Sequence, residues 1–154
     1  MSTRREFIQK TAMAAVTLGA KSYSRVLGAN DRIRVGIVGF SDRFRSSLSP
    51  SFLAYANELN FEFTAVSDIW STRREEADAF FRHKVINLRL ARNNEELYKG
   101  KDTDAVIIST ADFQHALHCV EAVEAGRDAY VEKPFAETMA DARAARKAVQ
   151  KTGK

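Results

Sequence analysis

After Asn30 the chain alternates short apolar runs with longer segments of helical periodicity, and this alternation limits the fold more than any other feature. The runs "IRVGIVG" (33–39), "EFTAVSD" (62–68), "VINLRL" (85–90), "DAVIIST" (104–110) and "DAYVE" (128–132) read as strands. Strands separated by helices predict βαβ units and a parallel sheet. The near-continuous Val, Ile and Ala of the first, second and fourth runs suits strands covered on both faces. The expected architecture is therefore α/β: a Rossmann-type doubly wound parallel sheet with helices on both faces.

The intervening segments carry helix signals. Phe113, Ala116, Leu117, Val120 and Val123 recur at three- and four-residue steps and stop at Gly126, a glycine C-terminal signal. From Thr138 the sequence "TMAD" is a capping-box pattern with Asp141, and Arg146, Lys147 and Lys151 complement the far end of the helix dipole. Pro50 is unsuited to a helix interior, so Ser49 is expected as N-cap with Pro50 at the first helical position. That leaves "FSDRFRSSL" (40–48) as a long loop. The one cysteine, Cys119, sits in an apolar helical pattern and is expected as a small packed side chain; no intrachain disulfide or CxxC pair can form.

The formal charge of +4 is concentrated at the start of the chain. Residues 1–29 hold five basic side chains and one acidic one, and the remainder holds nineteen of each. A basic face for nucleic acid is therefore not implied. "STRREFIQK" followed by the uncharged "TAMAAVTLGA" has the layout of a basic region and a short apolar region. Ten residues cannot span about 30 Å of hydrocarbon as a helix. Arg4 and Arg5, with Thr3, Phe7, Ile8 and Lys10, resemble a twin-arginine signal. Residues 1–29 are accordingly read as a signal segment and residues 30–154 as the folded domain. The resemblance implies the twin-arginine export machinery as a partner and a periplasmic location. Neither "LGA" is a clean cleavage site, so a retained tether to the membrane stays open, as does an amphipathic N-terminal helix packed on the domain.

In a doubly wound sheet a ligand binds beyond the carboxyl ends of the strands, where strand order reverses. Gly39, Ser41 and Phe44 stand where a G-x-G-x-x-G fingerprint would lie, and only the first glycine survives. Ser41, Arg43, Ser46 and Ser47 are then the donors available to a phosphate. Asp68, at the end of the second strand, is placed to accept ribose hydroxyls and to favour NAD over NADP; a helix-capping role is the alternative. Arg73 and Arg74 follow closely and complicate that preference. Ser109 and Thr110 end the fourth strand, Asp112 is expected as an N-cap, and His115 falls in the first helical turn. His118 and His83 are expected as ordinary solvent or partly packed histidines. The three histidines lack metal-ligand spacing, so no metal site is expected.

Taken together, Gly39, Asp68, "ST" with His115 beyond it, and "EAGRDAYVEKP" resemble the glucose-fructose oxidoreductase, inositol dehydrogenase and MocA (Gfo/Idh/MocA) family over residues 31–154. The resemblance implies that Glu132-Lys133-Pro134 borders the nicotinamide of NAD or NADP, with Lys133 contacting cofactor and sugar as a catalytic cation. Glu132 and Pro134 would shape its turn, and Thr110 and His115 would lie on the nicotinamide side. Proline at 134 makes a cis Lys133–Pro134 bond accessible. Ala111 departs from the proline common in the family. The family's substrate domain, with its acid/base histidine, does not follow Lys154, so a fragment is expected, and any homo-oligomer would assemble through that domain. The leading expectation is the cofactor domain of an exported NAD(P)-dependent oxidoreductase acting on a sugar, polyol or derivative. A non-catalytic nucleotide-binding module and an unliganded structural domain are the alternatives.

Overall fold

The computed structural model describes residues 32–85 and 87–154. The twin-arginine segment expected at residues 1–29 lies outside the described residues. A parallel five-stranded sheet runs in the order β3-β2-β1-β4-β5. Its strands are β1 (Ile33–Val38), β2 (Phe61–Ser67), β3 (Arg89–Ala91), β4 (Ala105–Ile108) and β5 (Asp128–Val131). The helices are α1 (Ser49–Tyr55), α2 (Ser71–Phe81), α3 (Asn94–Lys99), α4 (His115–Glu124) and α5 (Met139–Thr152). The order reverses between β1 and β4, as a doubly wound sheet requires.

Each face of the sheet has its own core. On one, Val35, Ile37, Phe63 and Val66 of the sheet pack with Phe44, Ala77 and Phe81. Phe44 and Phe81 are each in ring contact with Phe40, Phe63 and one another, with Phe44 to Phe63 at 5.8 Å and Phe63 to Phe81 at 5.6 Å between centroids. On the other, Val38, Ala65, Val106 and Ile108 meet Leu97 of α3, Cys119 and Val123 of α4 and Ala148 of α5. Small residues on α4 and α5 let these helices approach closely. Cys119 is a buried packing residue, and burial pushes its thiol up from the ordinary range.

Three expectations need correction. The segment 40–48 is not a long loop: helix starts at Asp42, passes through a π turn at Phe44–Leu48 and continues as α1, so Pro50 lies inside it. The π turn reconciles the two, because the Ser49 N–H reaches back to the Phe44 carbonyl and the hydrogen-bond pattern has already shifted before the proline. Burial of Phe44 and Leu48 anchors this stretch as helix. The third strand is shorter and later than 85–90. Val85 N–H still bonds the Phe81 carbonyl, and Asn87 takes φ 62°, a left-handed turn that an extended strand cannot include. Asp112 is the first residue of a 3-10 turn (Asp112–Gln114), with Ala111 at the cap and no side-chain cap bond.

The Thr138 cap holds. Thr138 Oγ1 accepts from Asp141 N–H at 3.1 Å, and α5 closes on Gly153 at φ 74°. At the amino end of the sheet Arg34 donates to both carboxylate oxygens of Asp104, at 2.9 and 2.6 Å. No helix among the described residues is long and apolar enough to cross a membrane.

Candidate functional site

The strand register brings the ends of the strands to one level. Val38 is paired with Ser67 and Ile108, Ser67 with Ala91, and Ile108 with Val131. The next residues therefore leave the sheet along one edge while still tied to it. Gly39 N–H bonds Ser67 O, Asp68 N–H bonds Ala91 O, Ser109 N–H bonds Val38 O and Glu132 N–H bonds Ile108 O, all within 3.2 Å. Above this edge, across the β1/β4 reversal, opens a cleft of about 890 Å³. Its wall includes Gly39, Ser41, Asp42, Asp68, Trp70, Arg73, Thr110 and His118.

Gly39 is required by the backbone. It adopts φ +85°, and a Cβ there would stand 2.6 Å from Thr110 Cγ2 and 3.1 Å from the Thr110 backbone. β1 and β4 can meet at the cleft floor only with a bare α-carbon. Beside it the Ser109 hydroxyl donates to Gly39 O at 2.8 Å, whereas Thr110 Oγ1 is buried without a hydrogen-bond partner. Ser41 Oγ accepts from Phe44 N–H at 3.1 Å and so caps the helix, leaving its own hydrogen free to turn toward the cleft.

Asp68 serves the fold and the cleft together. Its carboxylate accepts from Phe40 N–H at 3.0 Å and Trp70 N–H at 2.9 Å, joining the loops after β1 and β2. Two bonds leave acceptor capacity on its oxygens. Trp70 itself is 57% exposed at the cleft wall, with the Arg73 guanidinium 5.7 Å from its ring centre. Arg73 donates to Glu76 at 2.7 Å and Asp42 at 3.0 Å, and Arg74 donates to the Asp68 carbonyl at 2.7 Å.

The remaining sequence candidates gather after β5, away from this wall. Arg43 pairs with Glu132 through Nε at 3.1 Å, and the Glu132 side chain is 8% exposed; Ser47 accepts from the same guanidinium. Ser46 bonds back to the Asp42 carbonyl within the helix. Arg43, Ser46 and Ser47 are thus engaged within the protein and do not line the cleft. His115 is 1% exposed and faces two carbonyl oxygens, Pro134 O at 2.8 Å from Nδ1 and Thr110 O at 3.1 Å from Nε2. It clamps the β4 exit to the turn after β5. The Lys133–Pro134 bond is cis. Lys133 is exposed, and its ammonium makes no hydrogen bond or ion pair among the described residues.

Sequence reasoning missed one polar group in the cleft. Ser67 Oγ donates to Asn94 Oδ1, Asn94 Nδ2 donates to Glu121 Oε2 at 2.8 Å, and His118 Nδ1 lies 2.9 Å from the same carboxylate oxygen. His118 is thus partly packed, the second of the two expectations for it, and it lines the cleft with specific partners. Its place one helical turn beyond His115 was the available signal. Asn94 was hidden by the misplaced third strand; ending that strand at Ala91 puts Asn93 and Asn94 at the cleft edge. Among the described residues no group of three or more His, Cys, Asp or Glu side chains is placed to hold a metal ion.

A parallel sheet with a cleft at its order reversal, a glycine floor and a carboxylate after β2 defines a nucleotide-binding Rossmann domain. Residues 33–154 match the oxidoreductase family with an NAD-binding Rossmann fold, Gfo/Idh/MocA, and the chain belongs to that family. It is 36% identical over 123 residues to the dehydrogenase aclE of Aspergillus oryzae, covering 73% of this chain and 31% of that one. It is 30% identical over 122 residues to a 1-carboxy-3-chloro-3,4-dihydroxycyclohexa-1,5-diene dehydrogenase of Comamonas testosteroni, covering 79% and 29%. The chain thus spans about a third of the length of these curated relatives.

Among solved structures, the WlbA dehydrogenase of Chromobacterium violaceum, in complex with NADH and UDP-GlcNAcA, superposes with TM-score 0.71 at 25% identity, over 81% of this chain and 34% of that one. KijD10, a 3-ketoreductase of Actinomadura kijaniata in complex with NADP and TDP-benzene, shares the fold, with TM-score 0.68 at 24% identity over 80% and 35%. The implied group is a nicotinamide dinucleotide, and the residues fit it. Asp68 on the cleft wall keeps acceptor capacity for ribose hydroxyls, and Thr110 Oγ1 is a buried polar atom at the cleft floor without a hydrogen-bond partner.

Proposed function

We propose that the cleft binds NAD(H) in preference to NADP(H), in an exported oxidoreductase that exchanges hydride between the nicotinamide and a sugar, polyol or derivative. The observation that carries this reading is the cleft floor: Gly39 at φ +85° against Thr110, with Asp68 on the adjoining strand end. When bound, the nicotinamide supplies the hydride chemistry at its C4. The chain's own residues bind and orient. Asp68 offers its remaining acceptor capacity to ribose hydroxyls and repels a 2′-phosphate, and Ser41 has a hydroxyl hydrogen for the pyrophosphate. His115 holds the turn that carries Lys133, whose ammonium is available to polarise a substrate oxygen. The substrate class draws support from WlbA and its sugar-nucleotide ligand.

Purified 154-residue protein should bind NADH with a submillimolar Kd, read as quenching of its one tryptophan, Trp70. Absence of binding to either cofactor at millimolar concentration would overturn the proposal. A second reading, a nucleotide-binding module without turnover, draws on the exposed, unpartnered Lys133. It predicts cofactor binding with no substrate-dependent change in NADH absorbance. Export rests on Arg4 and Arg5; replacing both with lysine should hold a fused folded reporter inside the cell, and unimpaired export would refute it.

A further inference from the structure

We propose that Asp42 and Glu76 uphold the cofactor preference of this cleft, by holding the Arg73 guanidinium in ion pairs that offset the charge a 2′-phosphate would otherwise meet. The inference rests on the dinucleotide reading above. Arg73 lines the cleft five residues beyond Asp68, where an adenosine ribose would meet the end of β2. An arginine in that position ordinarily invites a 2′-phosphate. Here its Nη1 is shared between Glu76 Oε2 at 2.7 Å and Asp42 Oδ1 at 3.0 Å, and these carboxylates raise its pKa, Glu76 more than Asp42.

The same two carboxylates hold Arg45, at 2.7 Å from Asp42 and 3.4 Å from Glu76. The result is a neutral square of two cations and two anions, spanning the helix that starts at Asp42 and α2. The other nearby arginine, Arg74, does not line the cleft; it donates to the Asp68 carbonyl. Both bonds fall on Nη1, so a 2′-phosphate approaching Arg73 would meet a charge already offset by two carboxylates while also facing the Asp68 carboxylate, and the adjacent arginine does not reverse the preference that Asp68 sets. Upholding that preference is thereby assigned to Asp42, at the start of the helix after β1, and Glu76 on α2.

The test compares Kd for NAD+ and NADP+ by tryptophan quenching in the full 154-residue chain. In the Asp42→Asn/Glu76→Gln variant the ratio of Kd(NADP+) to Kd(NAD+) should fall by about tenfold or more, the scale of one gained charge-assisted contact. The gain should weaken with added salt and vanish when Arg73→Ala is added. If the double variant misfolds by circular dichroism, Asp42→Asn alone, at a largely exposed position, should move the ratio in the same direction. An unchanged ratio in a folded variant that still binds NAD+ overturns the proposal, as does a gain that survives Arg73→Ala. Failure of the unsubstituted chain to bind either cofactor overturns the dinucleotide reading itself, and this assignment with it.

Discussion

The two ends of the cleft are built differently. At the β1–β2 end the polar groups are already paired: Asp68 is tied to the backbone of Phe40 and Trp70, and Arg73 is shared by Asp42 and Glu76. At the β4–β5 end the pairing lies underneath the surface, in His115 and in the Arg43–Glu132 contact, while Lys133 stands exposed above it. At one end the polar groups pair with one another within this chain. The other is a paired base that presents an exposed cation, Lys133.

Substitutions at the shared floor should break this contrast most severely. Gly39→Ala forces an L side chain into left-handed backbone and against Thr110, and should cost about 3 kcal/mol or more in urea denaturation with NADH affinity down at least about tenfold. His115→Ala removes a buried group with two carbonyl partners and should cost about 2–3 kcal/mol, with His115→Gln recovering part of it. Unchanged stability in His115→Ala would mean that the β5 turn does not depend on its clamp.

Asp104, far from both ends, provides a control. Its hydrogen bond from Arg34 holds its carboxyl down at about 2 from an ordinary 3.8, so the stability it adds is present above about pH 4 and is lost as pH falls toward 2. Asp104→Asn should flatten that part of the acid-unfolding profile and leave NADH binding at pH 7 intact. Lys133→Ala should have the smallest effect on stability, within about 0.5 kcal/mol, since the side chain is exposed and unpaired. In a longer family protein that carries a substrate domain the same change should cripple turnover, and full activity there would remove Lys133 from catalysis.

Much of the frame was legible because strands and helices advertise themselves locally. Four of the five strands fall within two residues of their apolar runs at each end, and the Thr138 cap and the Gly126 stop are local signals, a side chain on nearby backbone and a residue free to take positive φ. The errors came where a local rule met a tertiary one. Pro50 argued for a helix start, but burial of Phe44 and Leu48 pulled the preceding segment into helix, and a π turn resolved the conflict. "VINLRL" looked like one strand, but the turn at Asn87 divided it.

The sequence by itself determined the order of elements, the glycine at the end of β1, the carboxylate at the end of β2 and the Glu132-Lys133-Pro134 turn, because each is specified by residues adjacent in the chain. Only the tertiary structure decided which of these residues face the cleft. Arg43 turned to Glu132, His115 turned inward to two carbonyls, and His118, Asn94 and Glu121 converged on the open side. The physical reason is that a buried or half-buried polar group must find a partner, and Arg43, Asn94 and His115 each have one 19 to 89 positions away, where no local pattern can announce it.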